Sequence, residues 1–416
     1  MNIVKRIFIF IVVCTVQTSV FAKTHYVANV NELRVAANEL NSGDAIILSA
    51  GTYNLKERLV INKDNITIAG KAYQTILDGS NVINTALDPL TGKPISWLGL
   101  IHIEGRENVN ISGIHLKNSN FAGIYITNSS SIVVQDSFTE NTYSSGIGVW
   151  NSNYIYIYGN EISQACNGGG EESLTVATSK NVEVIGNDVH HNGKKDFAVG
   201  SGGEGIDIKD GSSSVTVSYN KVHNLYGRVG IYVDAWKNET YDIDIYNNNV
   251  FNNGDSGIVV SSECGGELHH IYIYDNETSG NAYAGIEVAG WSNDMGHCGK
   301  NPLPKTKYMN NIYVQANNIH NNGYGLCSLS NPVPCINGVN DKGQPNKGNG
   351  GINYGNPFGK DIYIEYNDLK GNKTDAYTSF NEYPQFNFWS HISSIDEKII
   401  PNSSNRIIIR GNSFSQ

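Results

Sequence analysis

Six side chains able to do chemistry crowd into residues 204–234: Glu204, Asp207, Lys209, Arg228, Tyr232 and Asp234. Four of them fall on two copies of one pattern, GIDIKDG at 205–211 and GIYVDAW at 230–236, with SVTVSYN between; Glu204 and Arg228 stand just ahead of the two copies. Side chains alternate along a strand, so Ile206 and Ile208, like Ile231 and Val233, face one way. Asp207, Lys209, Tyr232 and Asp234 then face the other. Carboxylates gathered on one face suit calcium, which accepts about six to eight oxygen ligands in flexible geometry. Glu204, Asp207 and Asp234 are the expected ligands, with Glu172 and Glu263 nearby. The same groups equally suit the acid and base of a glycosidase, at separations of ~5–5.5 Å for retention or ~6.5–9.5 Å for inversion. A solvated acidic face, with Lys209 paired across strands to Asp234, is the plain structural alternative.

What must position these groups is a repeat. Aligned segments begin at Gly99, Gly123, Gly146, Ser173, Gly205, Gly230, Gly257 and Gly285, at intervals of 24, 23, 27, 32, 25, 27 and 28 residues. A period of that size, with several short strands per unit, specifies a solenoid. A second column repeats asparagine after each middle strand: Asn160, Asn187, Asn220, Asn248, Asn276, Asn317, Asn367 and Asn412. Asparagines stacked at one turn predict a hydrogen-bonded ladder along the axis. The segment VNELRVAANEL is the one amphipathic helix, and it is placed to cap the end of a stacked core.

This combined pattern resembles the right-handed parallel β-helix of the pectate-lyase-like superfamily, in its secreted carbohydrate-active branch, over roughly residues 45–415. The fold expected is all-β, a single-stranded right-handed parallel β-helix with a short N-terminal capping helix. On such a helix the outward residues of successive coils stack, so the alignment maps a surface. One column reads His102, Tyr125, Gly148, Thr175, Asp207, Tyr232, Val259, Glu287. Its neighbour reads Glu104, Thr127, Trp150, Ala177, Lys209, Asp234, Ser261, Ala289. Structural ladders repeat one residue type, whereas these change from coil to coil, as a functional site does.

The resemblance also implies chemistry. The family of chondroitinase B and related alginate lyases is similar in placing a Lys and an Arg on neighbouring coils with calcium. By that analogy Lys209 is the base, Arg228 neutralises a uronate carboxylate, and Tyr232 is a proton donor to the leaving oxygen. Glu172, Trp236, Glu263, Glu287 and Trp291 are the expected substrate contacts, the two Trp rings as sugar platforms. The leading expectation is a calcium-assisted lyase cleaving an acidic, uronate-containing polysaccharide by β-elimination. Its rivals are a glycoside hydrolase or epimerase on the same face, and a non-catalytic carbohydrate-binding or surface β-helix. His190, His191 and His223 fall on turns, where capping is the simpler role.

Residues 1–22 read as a secretory signal peptide: Lys5 and Arg6, then the apolar run IFIFIVVCTV, then Val20-Phe21-Ala22. A secreted or periplasmic protein without a membrane span is therefore expected, acting as a monomer. Without that leader the chain carries 27 basic and 39 acidic side chains, a net of −12. Such a balance argues against nucleic acid and anionic membranes as partners. Export permits disulfides among Cys166, Cys264, Cys298, Cys327 and Cys335, and the expected pairs are Cys264 with Cys298 and Cys327 with Cys335. Residues 23–416 are expected to form one β-helix, with an insertion around 291–350 that reads as the wall of a groove.

Overall fold

The computed structural model describes residues 22–90, 92–168, 170–193, 202–290, 309–323, 350–355, 360–372, 397–399 and 407–415. Among these, two sheets carry nearly all the regular structure. The smaller has ten strands in parallel succession, among them Ala122–Thr127, Ile147–Trp150, Leu174–Ala177, Ile206–Lys209, Ile231–Ala235, Ile258–Ser262 and Ile286–Gly290. The larger, of 24 strands, collects the second and third strands of each turn. Every pairing in it is parallel except that of Glu397–Ile399 with Ile407–Arg410.

The alternation seen in the sequence is the alternation of burial. Ile147, Leu174, Ile206, Ile231, Ile258 and Ile286 form one inward row, and Val149, Val176, Ile208, Val233, Val260 and Val288 the next; all are buried. Glycine opens many of these strands because the next coil's backbone passes there. A Cβ on Gly230 would lie 2.4 Å from the Val250 side chain and 2.6 Å from the Gly257 carbonyl. The open N-terminal end of this core is covered by the helix Val30–Glu39, which buries Leu33 and Ala36. Asn29 caps it, accepting from the Asn31 and Glu32 amides at 3.1 Å, while the Glu32 carboxylate accepts from the Ala28 amide.

The asparagine column is the predicted ladder. The Asn187 amide and side chain both donate to Asn220 Oδ1, at 2.9 and 3.0 Å, and Asn220 repeats the pattern onto Asn248. A second ladder follows five residues later, through Asn253, Asn281, Asn322 and Asn372. Within the 291–350 excursion, strands Met309–Gln315 and Asn318–His320 add one more coil in register. Residues 291–308 and 324–349 of it, like the proposed leader up to residue 21, lie outside the described residues. Cys264 is disulfide-bonded and Cys166 is a buried free thiol; Cys298, Cys327 and Cys335 lie outside the described residues. No described helix is long and apolar enough to cross a membrane.

Candidate functional site

The strand pairings reproduce the outward columns. Thr175 pairs with Asp207, Asp207 with Tyr232, Tyr232 with Val259 and Val259 with Glu287, while Ala177 pairs with Lys209 and Asp234 with Ser261. Although outward, Asp207 and Asp234 are only 2% and 5% exposed. Removing carboxylates from water on this scale is costly unless each oxygen finds a partner. Neither residue's Oδ1 takes a hydrogen bond among the described residues.

Lys209 sets the local geometry. Its ammonium lies 2.5 Å from Glu172 Oε2 and 3.5 Å from Asp207 Oδ2, with the Trp150 ring centre at 5.7 Å. Thr175 Oγ1 donates to the same Glu172 oxygen at 3.1 Å. Burial alone would lower the Lys209 pKa, but Glu172, Asp207, Glu171 and Asp234 reverse this and hold it well above the usual lysine range. These surroundings oppose the expected role of Lys209 as a base, because its neighbours are carboxylates. The predicted cross-strand bridge to Asp234 is replaced by one to Glu172, on the preceding coil.

Around this cation the neighbouring acids are shifted upward. Burial pushes Asp207 well above the carboxylate range, Lys209 draws it back and Asp234 pushes it up again. Asp234 is raised by burial and then by Glu263, with Lys209 opposing less strongly. Glu204 is raised by burial and Glu172, and Glu171 by burial and Glu172. Tyr232 donates its hydroxyl to Glu263 Oε1, so burial and that acid raise its pKa well above the phenol range. Arg228 belongs to different surroundings: its Nε donates to the Gly202 carbonyl and its Nη1 to the Gly227 carbonyl at 3.1 Å, and its charge acts on Glu204 and Asp255.

Of the other predicted contacts, Glu287 accepts from Ser256 Oγ at 3.1 Å, and Trp236 stands 36% exposed with the Lys237 ammonium 5.9 Å from its ring centre. Trp291 lies outside the described residues. A metal centre on Glu204, Asp207 and Asp234 is not assembled: among the described residues no three His, Cys, Asp or Glu side chains gather to hold an ion. The physical reason is that a side-chain ammonium already stands beside Asp207. His190 and His223 lie on the other sheet, where His190 meets Glu161 at 3.2 Å and His223 meets Asp188 at 2.9 Å.

One contact comes from outside the repeat. Ser96, in the excursion between Asp78 and Gly99, donates to Glu171 Oε1 at 3.1 Å. The excursion therefore reaches along the face to the acid cluster. Nothing periodic marks Ser96 in the sequence. Glu171 was visible there only as one of an acidic pair before a strand.

Comparison with known proteins bears on the fold. A family model described as right handed beta helix region matches residues 95–244 and 169–299. The chain is similar to a tailspike protein mutant of E. coli bacteriophage HK620 (TM-score 0.57, 12% identity, 84% of this chain and 59% of that one). It is similar also to an exopolygalacturonase from Thermotoga maritima (TM-score 0.56, 14% identity, 85% and 90%) and to the Dettilon tailspike protein (TM-score 0.53, 14% identity, 82% and 58%). The chain thus spans a little under three fifths of the length of the two tailspikes. No curated protein sequence matches it.

Proposed function

We propose that this right-handed parallel β-helix is an exported polysaccharide hydrolase working by carboxyl acid–base chemistry on the outward face of the smaller sheet. The observation that carries this is a pair of buried carboxyl groups on adjacent coils, Asp207 and Asp234, made unlike by one ammonium. Asp207 lies 3.5 Å from Lys209, whereas Asp234 makes no ion pair among the described residues. Burial raises both carboxyls, and the difference between them is that only Asp207 has an ammonium within ion-pair distance, which is the asymmetry that would divide acid and base roles.

Asp234, whose carboxyl burial and Glu263 push toward its protonated form, is the general acid that protonates the glycosidic oxygen. Asp207, which Lys209 draws back toward its ionised form against burial, is the group assigned to activate water or attack the anomeric carbon. Lys209 is a positioning and charge-setting residue, and Glu172 fixes its ammonium. Trp236 and Tyr232 flank the sugar. A protein named as an exopolygalacturonase is among the structural relatives, which supports a polysaccharide as the substrate. β-Elimination fits less well, since Lys209 would have to leave a 2.5 Å salt bridge and lose a proton that its surroundings hold tightly.

The test is incubation with polygalacturonate, alginate, chondroitin and neutral glycans, following reducing ends and ultraviolet absorbance together. New reducing ends without an unsaturated product are expected, and they persist in chelator. Ultraviolet-absorbing products in step with the new ends would overturn hydrolysis in favour of a lyase. Binding without new ends on any polymer would leave a non-catalytic carbohydrate-binding protein.

A further inference from the structure

We propose that the N-terminal end of the same face is a recognition subsite for the carboxylates of a uronate-bearing polysaccharide, built around Arg58. This rests on the reading that the chain acts on a polysaccharide at the carboxyl cluster, and it adds the charge class of that polymer. A cavity between the capping helix and the first coil is lined by Arg34, Lys56, Glu57, Arg58, Val60 and Asn62. Three cations against one acid is a local reversal in a chain of net charge −10. No salt bridge joins Arg34, Lys56 or Arg58 to an acid among the described residues.

Arg58 is held by packing rather than by hydrogen bonds. Its guanidinium carbon lies 5.5 Å from the centre of the Phe121 ring, and Nη1 is buried without a partner. A guanidinium normally spends its forked donors on carboxylates or carbonyls. Here the fork is oriented by the ring and left unspent beside the cavity. Val60, two residues on, pairs with His102, and the column then runs through Tyr125, Gly148 and Thr175 to Asp207. Five steps of ~4.8 Å separate the two ends by about 24 Å. Between them His102, 3.5 Å from the exposed Glu104, is followed by the uncharged Tyr125, Gly148 and Thr175; at Gly148 a side chain would press on the Tyr125 ring, 3.1 Å from a Cβ there.

The separation has an electrostatic reason. An acid-rich cleavage site repels a polyuronate, so recognition of the polymer's charge has to be placed where the field is positive. A chain long enough to span the face would set its carboxylates on Arg58, Lys56 and Arg34 and present a glycosidic bond at Asp234.

The test is affinity electrophoresis in gels containing polygalacturonate, a sulfated glycan or neutral dextran, using full-length protein and an Asp234→Asn background to prevent cleavage. Retardation by polygalacturonate and not by dextran is expected. Arg58→Met, which keeps a side chain against Phe121, weakens it about tenfold or more, and Arg58→Lys restores part. Should Arg58→Met not fold, Lys56→Gln combined with Arg34→Gln, both exposed, gives several-fold weakening. Absence of retardation in low salt, retardation unchanged in all variants, or retardation by the sulfated glycan alone overturns the proposal. Polygalacturonate binding through Arg58 without cleavage of any polymer would remove the hydrolase reading and leave this one. Hydrolysis confined to neutral glycans would do the reverse.

Discussion

Asn220 and Asp207 lie in one turn of the helix, yet their polar groups are treated in opposite ways. At Asn220 all hydrogen-bonding capacity is used: Oδ1 accepts twice from Asn187, Nδ2 donates to Asn248 and the Val184 carbonyl, and the amide donates to Asn248. At Asp207, and at Asp234 on the next coil, an oxygen is buried and unused. A repeated residue with every bond made is an element of structure. A singular residue with a bond withheld is a place kept for something else, because native proteins leave few such groups unpaired. The two can be separated by experiment, since substitution should cost stability at the first and activity at the second.

The largest effect is expected from Asp234→Asn. Loss of the proton donor lowers kcat by about 10²–10⁴-fold. The cold unfolding behaviour stays intact, and stability near neutral pH rises or holds, because a buried carboxyl that resists ionising has been replaced by a neutral isostere. Steady-state rates and thermal unfolding of the same sample decide it. A stability loss with the specific rate preserved would move Asp234 to the structural class.

Lys209→Met comes next, with the rate at neutral pH down about ten- to a hundredfold and partly recovered at higher pH. Without the ammonium, Asp207 keeps its proton to higher pH, so the acidic limb of the pH–rate profile moves upward. The stability profile follows the same sign. Asp207 and Asp234 have folded pKa values raised above the unfolded value of about 3.9. The native state therefore holds more protons, and the advantage present at low pH is lost as pH rises through the folded values. Lys209, raised in its turn, contributes below about 10.4 and loses that contribution as pH climbs through its folded value. An unmoved acidic limb in Lys209→Met would separate Lys209 from Asp207.

On the structural side, Asn220→Ala is expected to destabilise by about 2–3 kcal/mol, since it strands the Asn187 amide and the Val184 carbonyl in a dry turn. The specific rate per folded molecule stays the same. Denaturant midpoints read against activity per folded molecule check both halves. A rate loss as large as that of Asp234→Asn would mean that the ladder and the site are not separable.

The same contrast explains what could be read from sequence. Register was legible because strand alternation and coil length together fix which residue stacks on which, so the column through Thr175, Asp207 and Tyr232 matches the pairings observed. The second asparagine ladder carried a signal of the same kind, a constant offset of five from the first, as in Asn248 and Asn253 or Asn317 and Asn322. Side-chain reach was not legible. Lys209 has a long stem that can turn toward either neighbouring coil, and registration alone pointed it to Asp234 rather than back to Glu172, which lies before its strand. Neither was the entry of Ser96, which arrives on an excursion with no period to align.

The smallest expected effect tests whether heterogeneity alone marks function. On the larger sheet Lys221 and Asp188 break the run of like residues too, with an ammonium–carboxylate distance of 3.3 Å. Both side chains are well exposed, at 48% and 39%, and Asp188 keeps a second partner in His223 at 2.9 Å. An exposed pair of this kind is screened and contributes about 0–0.5 kcal/mol. Lys221→Ala should therefore leave both the unfolding midpoint and the specific rate within error of the parent. What distinguishes Asp207 and Asp234 is variation combined with burial and an unmet hydrogen bond, and Lys221 has only the first. A measurable rate loss in Lys221→Ala would show that the polysaccharide also runs across the larger sheet, and the comparison would then have to be redrawn between coils rather than between sheets.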